Sequence, residues 1–189
     1  MLTKSPPDTR VIFIPTAADP YPDKWFIEAD KKQWQELGFN ILELDLKGKK
    51  ERELRNLLKG FDIVYIAGGN TFYLLEKVLE SGFDVVIKEL LENGVIYAGG
   101  SAGAIIAGPT IEPIRVFDDL KAAPNLKSYA GLGLVDFIVL PHYSRDKLHN
   151  RQHDQIIKEW NKKGYMLIPL TNDQAIVVEG NDSQVVDLT

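Results

Sequence analysis

The chain has 189 residues, 44% hydrophobic and 26% charged, a composition typical of a soluble globular protein with one domain. A formal net charge of −5 without a basic stripe argues against a nucleic-acid partner, and the longest apolar run is too short and too rich in glycine to span a membrane. The absence of cysteine excludes disulfides, thiolate metal sites and a cysteine nucleophile, and it fits the cytoplasmic location that we expect.

The first half of the chain alternates between predicted strands and predicted helices. Short runs rich in β-branched residues predict strands, and apolar residues at helical spacing between polar ones predict helices. The strands are predicted within residues 10–15, 39–46, 62–69 and 95–100, and the helices within 24–37, 49–61, 70–82 and 83–94. This alternation predicts an α/β fold with a mostly parallel sheet flanked by helices.

The second half is less regular. Residues 109–131 are predicted to form a long loop, because they contain three prolines and little periodicity. A strand is predicted within 134–144 and a polar helix within 145–164, and three closing strands are predicted within 165–170, 175–180 and 183–188. No repeat or low-complexity tract interrupts the chain, so we interpret residues 1–189 as a single domain.

Two glycine-rich turns, "AGGNT" and "AGGSAGA", follow predicted strands. In parallel α/β sheets ligands bind beyond the carboxyl ends of the strands, so both turns should lie at the functional edge. The segment "GGSAG" matches the G-x-S-x-G nucleophile elbow, in which Ser101 would be the nucleophile and the Ala102 N–H would face a developing oxyanion. The second donor would come from the backbone of Gly69 or Asn70. The alternative is that Ser101 only lets the two elements pack closely.

A serine nucleophile needs a base and an acid that orients the base. His142 is the best candidate for the base, because it follows the apolar run "FIVLP" and should reach the same edge as Ser101. Three aspartates are open candidates for the acid: Asp173 in a late turn, and Asp118 and Asp119 in the long loop. Each of them could instead cap backbone N–H groups.

The remaining histidines, His149 and His153, are four residues apart on the predicted polar helix. This spacing could suit a metal ion, but no carboxylate or further histidine nearby completes a ligand set. We therefore interpret the pair as part of a solvated helix face. Neither a metal nor a cofactor is expected.

Five segments in order along the chain, "VIFIPTA", "IVYIAGGNTFYLL", "GGSAGAIIAGPTI", "LPHY" and "NDQAIVV", resemble peptidase family S51. That family includes the aspartyl dipeptidases (peptidase E) and the cyanophycinases. The resemblance covers nearly the whole chain. It implies a flavodoxin-like three-layer α/β sandwich, similar to class I glutamine amidotransferases, which carry a cysteine at the elbow.

The resemblance also implies a catalytic arrangement. Ser101 would be the nucleophile, His142 the base, and the Gly69 and Ala102 N–H groups the oxyanion donors. The third member maps either near Asp118 or Asp119, or near Asn172 or Asp173, so the resemblance leaves the choice open. The implied reaction is hydrolysis of small peptides, with dipeptides that begin with aspartate as the expected substrates.

Two residues are expected to bind substrate. Arg151, on the helix after the histidine, is the closest match to an arginine that holds the substrate's aspartate side chain in aspartyl dipeptidases, and Asn70 lies in the "GGN" turn. Arg151 could instead be a surface residue paired with a neighbouring acid. The chain departs from the family in having only "MLTKSPPDTR" before the "FIPTA" strand, where an edge strand is usual. An uncovered edge makes a homodimer possible.

Two other functions stay open. Glycine turns at helix N-termini also bind anions, so the protein could be a non-catalytic module for an anionic small ligand. It could also be a catalytically inactive family member with a regulatory role. The phosphate-loop and dinucleotide-binding glycine patterns are absent from the sequence, which disfavours the first alternative.

Overall fold

The computed structural model describes residues 4–144 and 150–188. Its central sheet has four parallel strands in the order β2-β1-β3-β4. The bounds of these strands are Arg10–Ile14 (β1), Asn40–Glu43 (β2), Ile63–Ile66 (β3) and Ile96–Gly99 (β4). This order begins the doubly wound arrangement of flavodoxin-like folds, and the α/β fold with its mostly parallel sheet is therefore as predicted.

The later strands form two smaller sheets. β5 (Phe137–Leu140) and β6 (Met166–Pro169) pair in parallel, and β7 (Gln174–Glu179) and β8 (Asp182–Asp187) form an antiparallel hairpin. All four residues of β5 are buried, as expected for a parallel strand covered on both faces. β5 ends at Leu140, two residues before His142.

Six α-helices connect or cover the strands in the described residues. Their bounds are Trp25–Glu36 (α1), Glu51–Leu57 (α2), Thr71–Ser81 (α3), Phe83–Glu92 (α4), Ala102–Ile106 (α5) and Arg151–Lys162 (α6). The predicted long loop contains two short 3-10 turns, Glu112–Val116 and Leu120–Ala122. The predicted polar helix within 145–164 is described from Asn150 onward; residues 145–149 lie outside the described part of the chain.

The main core lies between the central sheet and the helices that carry the two glycine turns. Phe72, Leu75 and Val78 of α3 are fully buried, and they pack with Ile66 of β3 in the same cluster. A smaller cluster around Phe13 and Ile27 fills the other side of the sheet beneath α1. Within the described residues, no helix is both long enough and apolar enough to cross a membrane.

α5 packs closely against the sheet because Gly103, within the helix, and Gly99, at the end of β4, have no side chains. A Cβ atom at Gly103 would lie 2.2 Å from the carbonyl oxygen of Ile66, and one at Gly99 would lie 2.5 Å from the Gly103 carbonyl carbon. These distances are too short for any side chain. The small residues of "GGSAGA" therefore bring the start of α5, and Ser101 before it, directly against the end of β3.

Candidate active site

Ser101 lies on the turn between β4 and α5, and its backbone has φ = 46°. Among the described residues other than glycine, only Ser101 and His142 have a positive φ. Such a conformation is costly for a residue with a side chain and often marks a functional site. The turn is therefore strained at the position that the elbow pattern predicts for a nucleophile.

Gly100, which precedes Ser101, and Gly68, in the glycine turn after β3, leave room for this turn to form. A Cβ atom at Gly100 would lie 2.5 Å from the hydroxyl oxygen of Tyr65, and one at Gly68 would lie 3.2 Å from the Cβ of Ser101. The Tyr65 hydroxyl is itself fixed, since it donates a hydrogen bond of 2.8 Å to Asp30 Oδ2 on α1. The two glycine turns thus touch each other, and Ser101 lies at their contact.

His142 follows β5 and has φ = 61°. Its Nε2 lies 2.9 Å from the Oγ of Ser101, within hydrogen-bond distance. The structure therefore brings together two residues that are 41 positions apart in the chain. This is the serine–histidine geometry on which activation of a hydroxyl nucleophile depends.

The second ring nitrogen of His142 meets an amide. His142 Nδ1 lies 2.9 Å from Oδ1 of Asn172, in the turn between β6 and β7. An amide oxygen can only accept, so Nδ1 carries the hydrogen, and the neutral ring then presents an unprotonated Nε2 to Ser101. Asn172 thus selects the tautomer that can accept the serine proton, but it provides no negative charge.

The side chain that contacts His142 Nδ1 is that of Asn172 and not that of one of the three predicted acids. Asp118 Oδ2 accepts a hydrogen bond of 2.7 Å from the Thr71 N–H, and the Asp119 carboxylate accepts one of 2.9 Å from the Lys121 N–H. The backbone oxygen of Asp173 accepts from the Leu188 N–H, which joins the turn to the end of β8. The position behind His142 is therefore occupied by Asn172, the residue before Asp173. A sequence pattern does not show which of two adjacent turn residues faces the ring.

The two residues predicted to supply oxyanion N–H donors both lie next to Ser101. Ala102 is the first residue of α5, so its N–H has no carbonyl partner within the helix. Gly69 lies beside Ser101 in the wall of one cavity and has φ = 146°; a Cβ atom there would lie 2.2 Å from the Ala17 carbonyl oxygen. The next N–H along the chain, that of Asn70, is not available, because it donates to Ala17 O at 2.8 Å.

Asn70, which we predicted to bind substrate, has its side chain engaged within the protein. Its Oδ1 accepts from the Tyr73 N–H at 2.8 Å and so caps α3, and its Nδ2 donates to the Asp119 carbonyl at 2.9 Å. The residue is 2% exposed. In this structure Asn70 joins α3 to the long loop, and no free polar atom of its side chain faces the cavity.

A cavity of about 130 Å³ opens beside Ser101 and His142. Its wall is formed by a larger apolar group and a smaller polar group. The apolar side chains are those of Ile105, Ile114, Phe117, Leu140 and Pro141, and the polar members besides Ser101 and His142 are Thr71, Asp118 and His153. A mostly apolar cavity with a few converging polar groups is the usual form of a small-molecule site.

His153 corrects one of our sequence predictions. We expected a solvated helix face, whereas the residue is half-buried, lines the cavity and stacks against Phe117 with 4.8 Å between ring centroids. The signal was present in the sequence, because His153, Ile156 and Trp160 are spaced three and four residues apart and share the buried face of α6. Its predicted companion His149 lies outside the described residues.

Arg151 is the first residue of α6, and it is exposed. It is not among the cavity-lining residues, whereas Thr71, Phe117 and His153 line the cavity without having been singled out for it by the sequence. In the described ranges, no group of three or more histidine, aspartate or glutamate side chains is arranged to bind a metal.

The chain is similar in sequence to known peptidases. The family model "Peptidase family S51" matches residues 1–186. An uncharacterized peptidase of Listeria monocytogenes is 37% identical over 172 residues, which are 91% of this chain and 83% of that protein. A peptidase E of Nostoc sp. is 28% identical over 159 residues, which are 84% of this chain but only 62% of that protein.

The chain is also similar to solved peptidase structures. The crystal structure of a Listeria monocytogenes protein assigned to peptidase E superposes with a TM-score of 0.87 at 35% identity, covering 97% of this chain and 88% of that one. A crystal structure of a peptidase from an actinobacterium, 24% identical with a TM-score of 0.68, supports the fold alone. The elbow turn, the strand order and these matches together show that the chain belongs to peptidase family S51.

Proposed function

We propose that the protein is a serine peptidase that hydrolyses small peptides through an acyl-enzyme. The observation that carries the proposal is the hydrogen-bonded series Ser101 Oγ, His142 Nε2 and Nδ1, and Asn172 Oδ1, with both distances at 2.9 Å. A serine next to an unprotonated imidazole nitrogen can lose its proton as it attacks, which is the activation that a hydroxyl nucleophile requires.

The first half of the reaction forms the ester. Ser101 Oγ attacks the scissile carbonyl carbon while its proton moves to His142 Nε2, and the carbonyl oxygen takes the negative charge beside the Gly69 and Ala102 N–H groups. The C–N bond then breaks, and His142 returns the proton to the leaving amine. The second half repeats these steps with water as the nucleophile and releases the carboxylic acid product.

The substrate is small because the site beside Ser101 is small. A cavity of about 130 Å³ accepts one side chain. The resemblance adds a preference for peptides that begin with aspartate, for which Arg151 would be the cationic partner. Because Arg151 is exposed and absent from the cavity wall, this preference stays a prediction that a panel of dipeptides tests.

The alternative of an anion-binding module finds less support. α3 is the longer of the two helices that follow glycine turns, and its first N–H group, at Thr71, already bonds the protein's own Asp118 carboxylate at 2.7 Å. An anion at this helix end would have to displace a carboxylate. The structure therefore favours the hydrolytic function.

Replacing the nucleophile tests the proposal. In Ser101→Ala we expect kcat on the best dipeptide to fall by about 1,000-fold or more, because no acyl-enzyme can form. The measurement is the rate of amine release, together with labelling by a fluorophosphonate and mass spectrometry of the intact protein. Ser183→Ala, at an exposed position of β8, is the matched control and should retain activity and labelling. Full activity in Ser101→Ala would refute the proposal.

A further inference from the structure

One carboxylate lines the cavity beside Ser101, and the proposed reaction steps do not use it. Asp118 belongs to the long loop between α5 and β5 and lies in the cavity wall together with Ser101 and His142. The rest of the wall is mostly apolar, and among its described residues none is lysine or arginine. A carboxylate in such a wall is stabilised by a cation, and here the cation has to come from the ligand.

Asp118 has one oxygen anchored and one available. Its Oδ2 accepts a hydrogen bond of 2.7 Å from the Thr71 N–H at the start of α3. Its Oδ1 has no hydrogen-bond or ion-pair partner within the described part of the chain, yet it is not one of the buried atoms that lack a partner. Since the residue is only half-buried, solvent or a ligand can reach this second oxygen.

Further hydrogen bonds from α3 hold the loop that carries Asp118. Asn70 Nδ2 donates to the Asp119 carbonyl at 2.9 Å, directly beside the anchored carboxylate. Further along the loop, the buried carboxylate of Glu76 accepts a bond of 2.6 Å from the Asn125 N–H. The position of Asp118 relative to the elbow is therefore fixed before a substrate arrives, and binding requires little reordering of the loop.

The α-ammonium of a peptide is a cation that fits this arrangement. In the first residue of a peptide, the ammonium nitrogen and the carbonyl carbon are both bonded to Cα, so they lie only about 2.5 Å apart. A carbonyl carbon placed against Ser101 Oγ therefore brings the ammonium close to the small cavity whose wall includes Asp118. In a residue within a longer peptide, the same nitrogen is a neutral amide that carries the preceding chain. Only an N-terminal residue offers a positive charge at this position.

Resting on the proposed serine-peptidase function, we propose that Asp118 binds the α-ammonium of the residue whose carbonyl carbon Ser101 attacks. The ammonium donates a charge-assisted hydrogen bond to Oδ1, while Oδ2 keeps its bond from the Thr71 N–H. The protein then acts on peptides with a free N-terminus and removes their first residue. Because every unblocked peptide carries this ammonium, the contact leaves the choice of side chain, including the expected aspartate, to other residues.

A matched pair of substrates tests this requirement on the wild-type protein. The best dipeptide of the panel is compared with its des-amino analogue, in which hydrogen replaces the α-ammonium; for Asp-Leu this analogue is succinyl-leucine. The analogue is smaller and keeps the side chain and the scissile bond, so it lacks only the charge and its hydrogen bonds. We expect its kcat/KM to be lower by at least about tenfold. A smaller difference would overturn the proposal and leave the serine-peptidase function intact.

Asp118→Asn assigns the requirement to this residue. The amide oxygen can still accept from the Thr71 N–H, so the loop stays attached to α3. KM for the dipeptide should rise at least about tenfold with little change in kcat, because the ammonium contact is the same in the ground and transition states, and kcat/KM for the des-amino analogue should change by less than about threefold. Asp119→Asn is the matched control, since it removes an equal charge from the next position; the ratio of kcat/KM between the two substrates should change by less than about threefold. Ratios within one variant cancel any loss of folded protein.

The remaining outcomes are also decisive. An equal fall in kcat for both substrates in Asp118→Asn would overturn the proposal, since that pattern indicates a part in the reaction itself and not a contact with the ammonium. Equal losses in Asp118→Asn and Asp119→Asn would overturn it too, because they indicate a general effect of the loop's charge. Cleavage of no substrate, together with no fluorophosphonate labelling of Ser101, would refute the serine-peptidase function and this inference with it. Labelling of Ser101 without cleavage of any unblocked dipeptide would overturn the inference alone.

Discussion

Asn172 is the residue whose position changes the chemistry of the site most. It fixes the tautomer of His142 through a 2.9 Å contact with Nδ1, as a carboxylate would. Unlike a carboxylate, an amide brings no charge to stabilise the imidazolium that forms during attack. In the proposed mechanism, Asn172 therefore orients the base but stabilises its charged form less than the aspartate of a serine–histidine–aspartate site does.

Asn172→Asp tests this distinction. The added negative charge should hold a proton on the imidazole more strongly, so the acid limb of the kcat/KM profile should move to higher pH by about one pH unit. In Asn172→Ala the orientation is lost, and kcat should fall about tenfold or more with little change in KM. The measurement is the pH profile of dipeptide hydrolysis between pH 5 and 9.

The matched control for these variants is Asp173→Asn, the neighbouring turn position. If Asp173 were the partner of His142, its variant would shift the acid limb and the Asn172 variants would not. That result would contradict the role of Asn172 that the structure indicates.

At the scale of elements, the elbow depends on close packing between α5 and β3. The approach leaves no room for a side chain at Gly103, where a Cβ atom would lie 2.2 Å from Ile66 O. The Tyr97 hydroxyl donates to the Gly103 carbonyl from the neighbouring strand β4, and burial raises the pKa of this tyrosine, so the contact stays neutral and intact at ordinary pH. The position of Ser101 thus depends on backbone contacts beneath it.

Gly103→Ala should therefore displace α5. We expect a loss of about 3 kcal/mol in the free energy of unfolding, since a methyl group would be forced against a backbone carbonyl. Fluorophosphonate labelling of Ser101 should fall as well. Gly133→Ala is the control: it has φ = 62° and open space around it, so its cost should be only the backbone strain of about 1 kcal/mol. Equal losses in both variants would contradict the packing argument. Urea unfolding measures both.

At the scale of the whole molecule, a half-buried polar pair connects helix α1 to the central sheet. The Tyr65 hydroxyl on β3 donates to Asp30 Oδ2 at 2.8 Å, and the same hydroxyl lies beneath Gly100 of the elbow. Burial raises the pKa of Asp30 above its usual 3.8, although the bond from Tyr65 opposes the shift. The folded protein therefore binds this proton at higher pH than the unfolded chain does.

This difference gives stability a defined pH dependence. The contribution of Asp30 to stability is fully present below its unfolded pKa and is lost as pH rises through the higher folded pKa. In Asp30→Asn, whose amide oxygen can still accept from Tyr65, we expect the free energy of unfolding relative to wild type to increase between pH 4 and pH 7. Urea titrations at the two pH values measure it. Asp182→Asn, in the exposed hairpin, should show no such trend, and a decrease in Asp30→Asn would contradict the prediction.

Much of this molecule could be predicted from local patterns in its sequence. Apolar runs such as 10–15 and the spacing of Phe72, Leu75 and Val78 determine strands and helices locally, and the structure contains them within a few residues of the predicted bounds. The elbow at Ser101 could also be predicted, because the glycines around it indicate a tight turn that has no room for side chains. These features depend on neighbours along the chain.

Tertiary structure alone decided which distant groups meet. Whether Asn172 or Asp173 faces His142 depends on the orientation of a turn between β6 and β7, and adjacent turn residues point in different directions. The burial of His153 and the free Thr71 Oγ1 likewise depend on how α6 and the long loop cover the elbow. The sequence by itself determined the elements and the turn at Ser101, because those follow from short-range sterics. Packing between elements decided which residue contacts His142 and which residues line the cavity, because those contacts join residues far apart in the chain.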